Sequence, residues 1–253
     1  MSNGSTSVHA RRVQGRRARH ISEMISAPAR CTVRQLTKRY GALQALRNAS
    51  FDVHAGEVLG LLGPNGSGKT TLMSCIAGTL ASDGGDVAFQ DDATVWFLPD
   101  GVTPWADQPA NWLLPFAAHV FGVRSNDIYD VTSTLRVNEF GVQRIGTLSK
   151  GQHKRLLLAL ALLQPSSVVL LDEPFDGLDV RLTRDVIALL QRHARAGRSI
   201  IVSLHVMYDA ARVCDRMVLL NDGATIAQGS ERELRERTGL ADGPFDEVFL
   251  ALV

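Results

Sequence analysis

The chain has 253 residues, 45% hydrophobic and 21% charged, ordinary globular usage that excludes wholesale disorder and collagen-like structure. Lys and Arg number 27 against 26 Asp and Glu, a formal +1, so no global basic field argues for nucleic acid. Cys31, Cys75 and Cys214 fit neither a disulfide framework nor zinc spacing and suit a reducing cytosol, and the longest apolar run, Leu156 to Leu163, falls far short of the roughly 20 residues that cross a bilayer.

Residues 1–30 carry six arginines against Glu23 alone, with no sustained apolar period, which predicts a disordered basic arm. Its composition would allow a transit peptide or a patch for anionic lipid or RNA. A solvated tail, or an upstream extension with translation starting at Met24, asks for less, and no function is placed there. From Cys31 the pattern is ordered. Cys31–Leu36 and Ala49–Val53 alternate as half-buried strands do. Glu57–Leu62 is an apolar strand leading into a glycine-rich turn, and Leu72–Ala77 reads as helix. Residues 104–147, with Pro104, Pro109 and Pro115, read as a mostly helical inserted subdomain. Val168–Leu171 and Ser199–Leu204 are continuous apolar runs of the kind parallel strands show when covered on both faces. Helical stretches at Gln152–Leu163, Val180–Ala196 and Met207–Cys214 alternate with them, so the core is α/β. Arg216–Leu220 and Ala224–Gln228 flank Asn221-Asp222-Gly223 as a closing hairpin.

Gly63-Pro64-Asn65-Gly66-Ser67-Gly68-Lys69-Thr70 fits G-x-x-x-x-G-K-[ST] between a strand and a helix, the context that pattern requires. Triphosphate crowds negative charge into a small volume. Glycines let backbone N–H groups converge on its oxygens, and a helix N-terminus adds a favourable dipole. Lys69 should reach the β- and γ-phosphates, Thr70 should take a Mg²⁺ position, and Thr71 should donate on the α-phosphate side. Downstream, an apolar strand ends in Asp172-Glu173, at the end where open α/β sheets bind ligands. Neighbouring strand residues face opposite ways, so the two acids should differ in role: Asp172 in the Mg²⁺ shell, Glu173 as general base on the attacking water. Leu148-Ser149-Lys150-Gly151-Gln152 opens a helix. Ser149 and Gln152 form a capping box, whereas His153, Lys154 and Arg155 sit where the helix dipole disfavours cations. A facing phosphate would relieve that conflict, and both readings can hold together.

Here the sequence resembles the ATP-binding subunits of ABC transporters, over essentially residues 32–253. The phosphate loop Gly63–Thr71, the signature LSKGQ (usually LSGGQ), the strand VVLLDE and a downstream histidine follow in that family's order. The resemblance implies an α/β P-loop NTPase fold, RecA-like, with a mostly parallel sheet core, a small antiparallel β subdomain and an inserted helical subdomain, all within 31–253. It assigns Tyr40 to stacking on adenine, Asp176 to Asp179 to the D-loop, with Asp179 as its site residue, and His205 to the γ-phosphate. The C-terminal stretch from Phe245 looks like the helix of exporter-type members. Asp100 stands where a Mg²⁺-contacting glutamine is usual, and a connection of only Gln90–Ala93 implies a trimmed β subdomain.

The resemblance further implies that MgATP is hydrolysed at a dimer interface. ATP on one phosphate loop would be covered by Ser149, Gly151 and Gln152 of a second nucleotide-binding domain, in a homo- or heterodimer. The work would pass to a transmembrane permease at the inner face of the cell membrane, through Trp105 or Trp112 of the insertion, although a small helical subdomain also needs aromatics for its own core. No nucleic-acid partner is expected. The alternative, a soluble ABC-type ATPase acting on nucleic acid or ribosomes, usually brings a second nucleotide domain or coiled-coil insertions. A GTPase would carry Asn-Lys-x-Asp, and no such tetrapeptide occurs.

Overall fold

The computed structural model describes residues 28–90, 92–205 and 207–253; most of the basic arm read at 1–30 lies outside them. Strand pairing starts two residues before the sequence boundary, with Ala29 opposite His54. Strands β1 (Ala29–Tyr40) and β2 (Leu43–His54) join β4 (Gly84–Phe89) in an antiparallel sheet ordered β2-β1-β4. Both β1 and β2 outrun the alternating segments that predicted them. Left-handed backbone at Gln35 (φ 48°) and Asn48 (φ 58°), with register shifts beside them, resets the in–out alternation. Period-2 reading therefore loses each strand at its bulge.

The second sheet has six strands: β3 (Val58–Leu62), β5 (Val95–Leu98), β6 (Val168–Leu171), β7 (Ser199–Leu204), β8 (Arg216–Asn221) and β9 (Ala224–Gly229), in the order β5-β6-β7-β3-β8-β9. All neighbours are parallel except the β8–β9 hairpin. Every residue of β3, β6 and β7 is buried, as their continuous apolar runs predict. Alternate residues feed two cores. Val58, Leu62, Val169, Leu171, Val202 and Leu204 face the helices α4 (Lys150–Leu163) and α5 (Val180–Arg195). Leu59, Leu61, Val168, Leu170 and Ile201 face β1, β2 and the single helix α1 (Lys69–Ile76).

Between β5 and α4 the chain forms α2 (Ala110–Phe121), α3 (Ser125–Thr134) and short 3-10 turns at Val137–Glu139 and Ile145–Thr147. Leu113, Leu114, Val131, Leu135 and Phe140 share the α4 core. The rest of the chain adds α6 (Met207–Val213), α7 (Glu231–Thr238) and α8 (Phe245–Leu250). Among the described residues no helix is long and apolar enough to cross a membrane.

Register decides where chemistry collects. Leu98 pairs with Leu171, Leu171 with Val202, and Leu62 with Leu204. Four parallel strands thus end along one edge, which receives Gly63 from β3, Asp100 after β5, Asp172 and Glu173 from β6, and His205 from β7. That edge is where an open α/β sheet takes a ligand.

Candidate functional site

The phosphate loop leaves buried β3 and turns through Gly66 and Gly68, both at positive φ (83° and 99°). A Cβ on Gly68 would lie 2.5 Å from the Ala45 carbonyl oxygen. Glycine at this position therefore satisfies both the turn and the approach to β2. Gly68 is also the N-cap of α1, and no side chain caps that helix, so its leading N–H groups stay available to an anion. Pro64, Asn65, Gly66 and Thr70 are exposed, Thr71 is half-buried, and Gly63, Ser67 and Lys69 are buried. The buried Ser67 hydroxyl has no hydrogen-bond partner among the described residues. Lys69 Nζ donates to the Gly63 and Pro64 carbonyls at 2.7 and 3.1 Å. Burial lowers the Lys69 pKa, against the opposing pull of Glu173 and Asp172.

At the end of β6 the two acids separate. Asp172, buried, accepts from Thr70 Oγ1 at 2.7 Å and from the Ser203 hydroxyl. Glu173 is held at φ 47° while its N–H donates to Ser203 Oγ at 2.8 Å. A non-glycine residue held there costs on the order of 1–3 kcal/mol, and here it re-aims a carboxylate. Glu173 Oε1 lies 3.8 Å from His205 Nδ1 and borders a cavity of about 270 Å³ also lined by Asp176, Gly177, Ser203 and Arg212, roomy enough for water. Ser203 thus ties the Asp172 carboxylate to the Glu173 backbone. No local motif marks it, but a serine within the apolar run SIIVSL is a polar group that burial obliges to find partners.

Helix α4 carries its own cap. Ser149 Oγ accepts from Gln152 N at 3.3 Å, and Gln152 Oε1 accepts from Ser149 N at 2.9 Å. The box uses acceptor atoms and leaves the Ser149 O–H and the Gln152 NH₂ as donors. Ser149 and Lys150 are exposed, and Gly151 and Gln152 half-buried. A Cβ on Gly151 would come within 2.6 Å of the Gly177 oxygen, so the signature lies directly on the D-loop of its own chain. Asp179 is the N-cap of α5, accepting from Leu182 N at 2.8 Å.

The cations at the start of α4 find partners other than phosphate. Lys150 Nζ is 2.6 Å from Asp176, Lys154 Nζ is 2.6 Å from Asp100, and Arg155 reaches Glu139 at 2.7 Å. Carboxylates of the same chain therefore offset part of the unfavourable dipole. Asp100 joins Glu173 and Asp176, one carboxylate oxygen of each lying within 4.8 Å of the others. Two of those three acids are matched by lysines. Thr70 and Asp172 offer the hard oxygens that suit Mg²⁺. Tyr40 stands apart, half exposed at the end of β1 with Lys38 Nζ 5.9 Å from its ring centre, in the turn that leads to Ala45 beside the phosphate loop. Trp96 packs edge-on against Phe121, whereas Trp105, Trp112 and Phe116 form one cluster with Trp105 and Phe116 largely exposed.

Comparison with known proteins agrees with this geometry. The ABC transporter family profile matches residues 46–176. An uncharacterised ABC transporter ATP-binding protein of Methanocaldococcus jannaschii is 32% identical over 209 residues, covering 80% of this chain and 78% of the relative. A hemin import ATP-binding protein of Thermobifida fusca is 30% identical over 226 residues, covering 83% and 80%. Other relatives carry the names of import and of export systems. The solved structure of an ATP-binding subunit of an ABC transporter superposes with a TM-score of 0.79 at 24% identity, covering 88% of this chain and 98% of that one. On the family profile and these relatives, the chain belongs to the ABC transporter family, as one of its ATP-binding, ATP-hydrolysing subunits.

Proposed function

We propose that two copies of the domain spanning 31–253 close on ATP, each covering the nucleotide held by the other. The observation that carries this is the exposed, self-capped start of α4. Ser149 and Gln152 keep donors that their own box does not use, and the helix end faces solvent. In this reading the N–H groups of Gly66 to Thr71 and the Lys69 ammonium hold the phosphates. Ser149, Gly151 and Gln152 of the second copy close over the γ-phosphate, and Asp179 lies at the junction through its cap on α5.

Thr70 and Asp172 are the residues that would hold Mg²⁺, which when bound supplies charge neutralisation on the phosphates. Glu173 takes a proton from water in the adjoining cavity. His205, beside it, donates to the γ-phosphate oxygen on which charge develops. Tyr40 offers a ring face to adenine from the β1–β2 turn. ATP binds the closed pair better than the open pair, and hydrolysis removes that preference, which is what a two-state switch requires.

The partner that receives the work is a transmembrane permease, with this chain peripheral on the inner membrane face. Residues 104–147 form the coupling subdomain. The Trp105, Trp112 and Phe116 cluster is its apolar contact, since exposed aromatic groups of this kind anchor interfaces. Glu173→Gln tests the closed pair. With ATP the variant should sediment at twice the monomer mass, and without ATP as a monomer. A monomer at saturating ATP would overturn the reading.

A further inference from the structure

Asp100 puts a third carboxylate where Glu173 and Asp176 already converge, at the rim of a site meant for a highly anionic ligand. Left alone, it would repel both its neighbours and the nucleotide. The same chain supplies an unusual counterpart. Lys154 is only 7% exposed, set in α4 just ahead of the apolar run Leu156–Leu163. A buried ammonium is costly unless paired, and its Nζ lies 2.6 Å from Asp100 Oδ1. Lys150, one helical turn earlier on the same face of α4, matches Asp176 at the surface in the same way. Two acids and two lysines thus balance around Glu173, which has His205 rather than a lysine beside it.

Resting on the nucleotide site proposed above, we propose that Lys154 is a positioning residue that neutralises Asp100. The Asp100–Lys154 pair then presents the nucleotide with the charge of a neutral residue. Asp100 is not an anion offered to the metal, and affinity for ATP follows the net charge of the pair rather than the presence of either partner.

The test is equilibrium binding of a non-hydrolysable ATP analogue to the full chain, with Mg²⁺ and with chelator, at low and at high salt. Lys154→Met, which leaves Asp100 bare, should weaken binding roughly five- to tenfold at low salt, and the loss should shrink at high salt. Asp100→Asn should bind as tightly as wild type or more tightly. The double variant Asp100→Asn/Lys154→Met should return to within about twofold of wild type, and Lys154→Arg should match it. A structural tie alone predicts the opposite pattern: both single variants weakened and no recovery in the double. That pattern overturns the inference, as does a gain in Mg²⁺ affinity in Lys154→Met, which would make Asp100 a released metal ligand. Should Lys154→Met fail to fold, Asp100→Asn decides alone, since weaker binding there refutes the charge argument. Wild type that does not bind the analogue at all would instead refute the nucleotide site.

Discussion

Helices α1 and α4 both begin with a lysine at their first helical position, yet they are built for different tasks. The N-cap of α1 is Gly68, with no side-chain cap, and its Lys69 is buried against its own loop carbonyls. The N-cap of α4 is Ser149 in a complete capping box, and its Lys150 is exposed and paired with Asp176. An uncapped end leaves backbone donors for a ligand. A capped end is stable by itself and can be offered to a second molecule. On the proposed reading, the contrast separates a helix that receives ATP within one chain from a helix that completes the site of another.

The largest expected effect lies between the two helices. Glu173→Gln should retain ATP binding while turnover falls by about 10²–10⁴ in a phosphate-release assay, and wild-type turnover would remove Glu173 from the reaction. Next, the two lysines should part company. Lys69→Ala should weaken ATP binding about tenfold or more, as expected for a charge-assisted contact to phosphate. Lys150→Ala should change affinity for the isolated monomer by less than about threefold, because a surface pair contributes little. Equal losses, read by titration calorimetry, would dissolve the distinction. Ser149→Ala should lower folding stability by about 1 kcal/mol through the lost cap, measured by denaturant unfolding.

The smallest effect serves as a control away from the N-terminal ends of both helices. Burial and then the Arg198 guanidinium push His193 from 6.5 down to about 4. As pH falls from about 6.5 to about 4, the unfolded chain takes up a proton at this residue while the folded chain does not, so stability should drop across that window. His193→Gln should flatten the slope without altering ATP affinity, as pH-dependent unfolding and titration would report.

The sequence disclosed what local pattern encodes. VVLL and the apolar core of SIIVSL read as buried strands because their side chains avoid water, and Gly63–Thr71 declares its turn and its helix by glycine and lysine spacing alone. Bulges hid the true length of β1 and β2, since Gln35 and Asn48 break the alternation on which strand reading depends. Lys154 and Asp100 are 54 positions apart, and no local period links them. The parallel register of β5 and β6 brings Asp100 to the site, and the docking of α4 brings Lys154. Asp179 shows a subtler gap: the family pattern names it as a D-loop residue, and the structure adds that its carboxylate caps α5.

The central claim is that each nucleotide site draws its phosphate loop from one copy and its covering helix from the other. Mixing two inactive variants, Lys69→Ala and Ser149→Arg, tests it most directly. Dimers of either variant alone have both sites broken, whereas a mixed dimer regains one intact site. ATPase activity should therefore reappear on mixing and rise with the fraction of mixed dimer. Mixtures that stay as inactive as the separate variants, although mixed dimers form, would contradict the account.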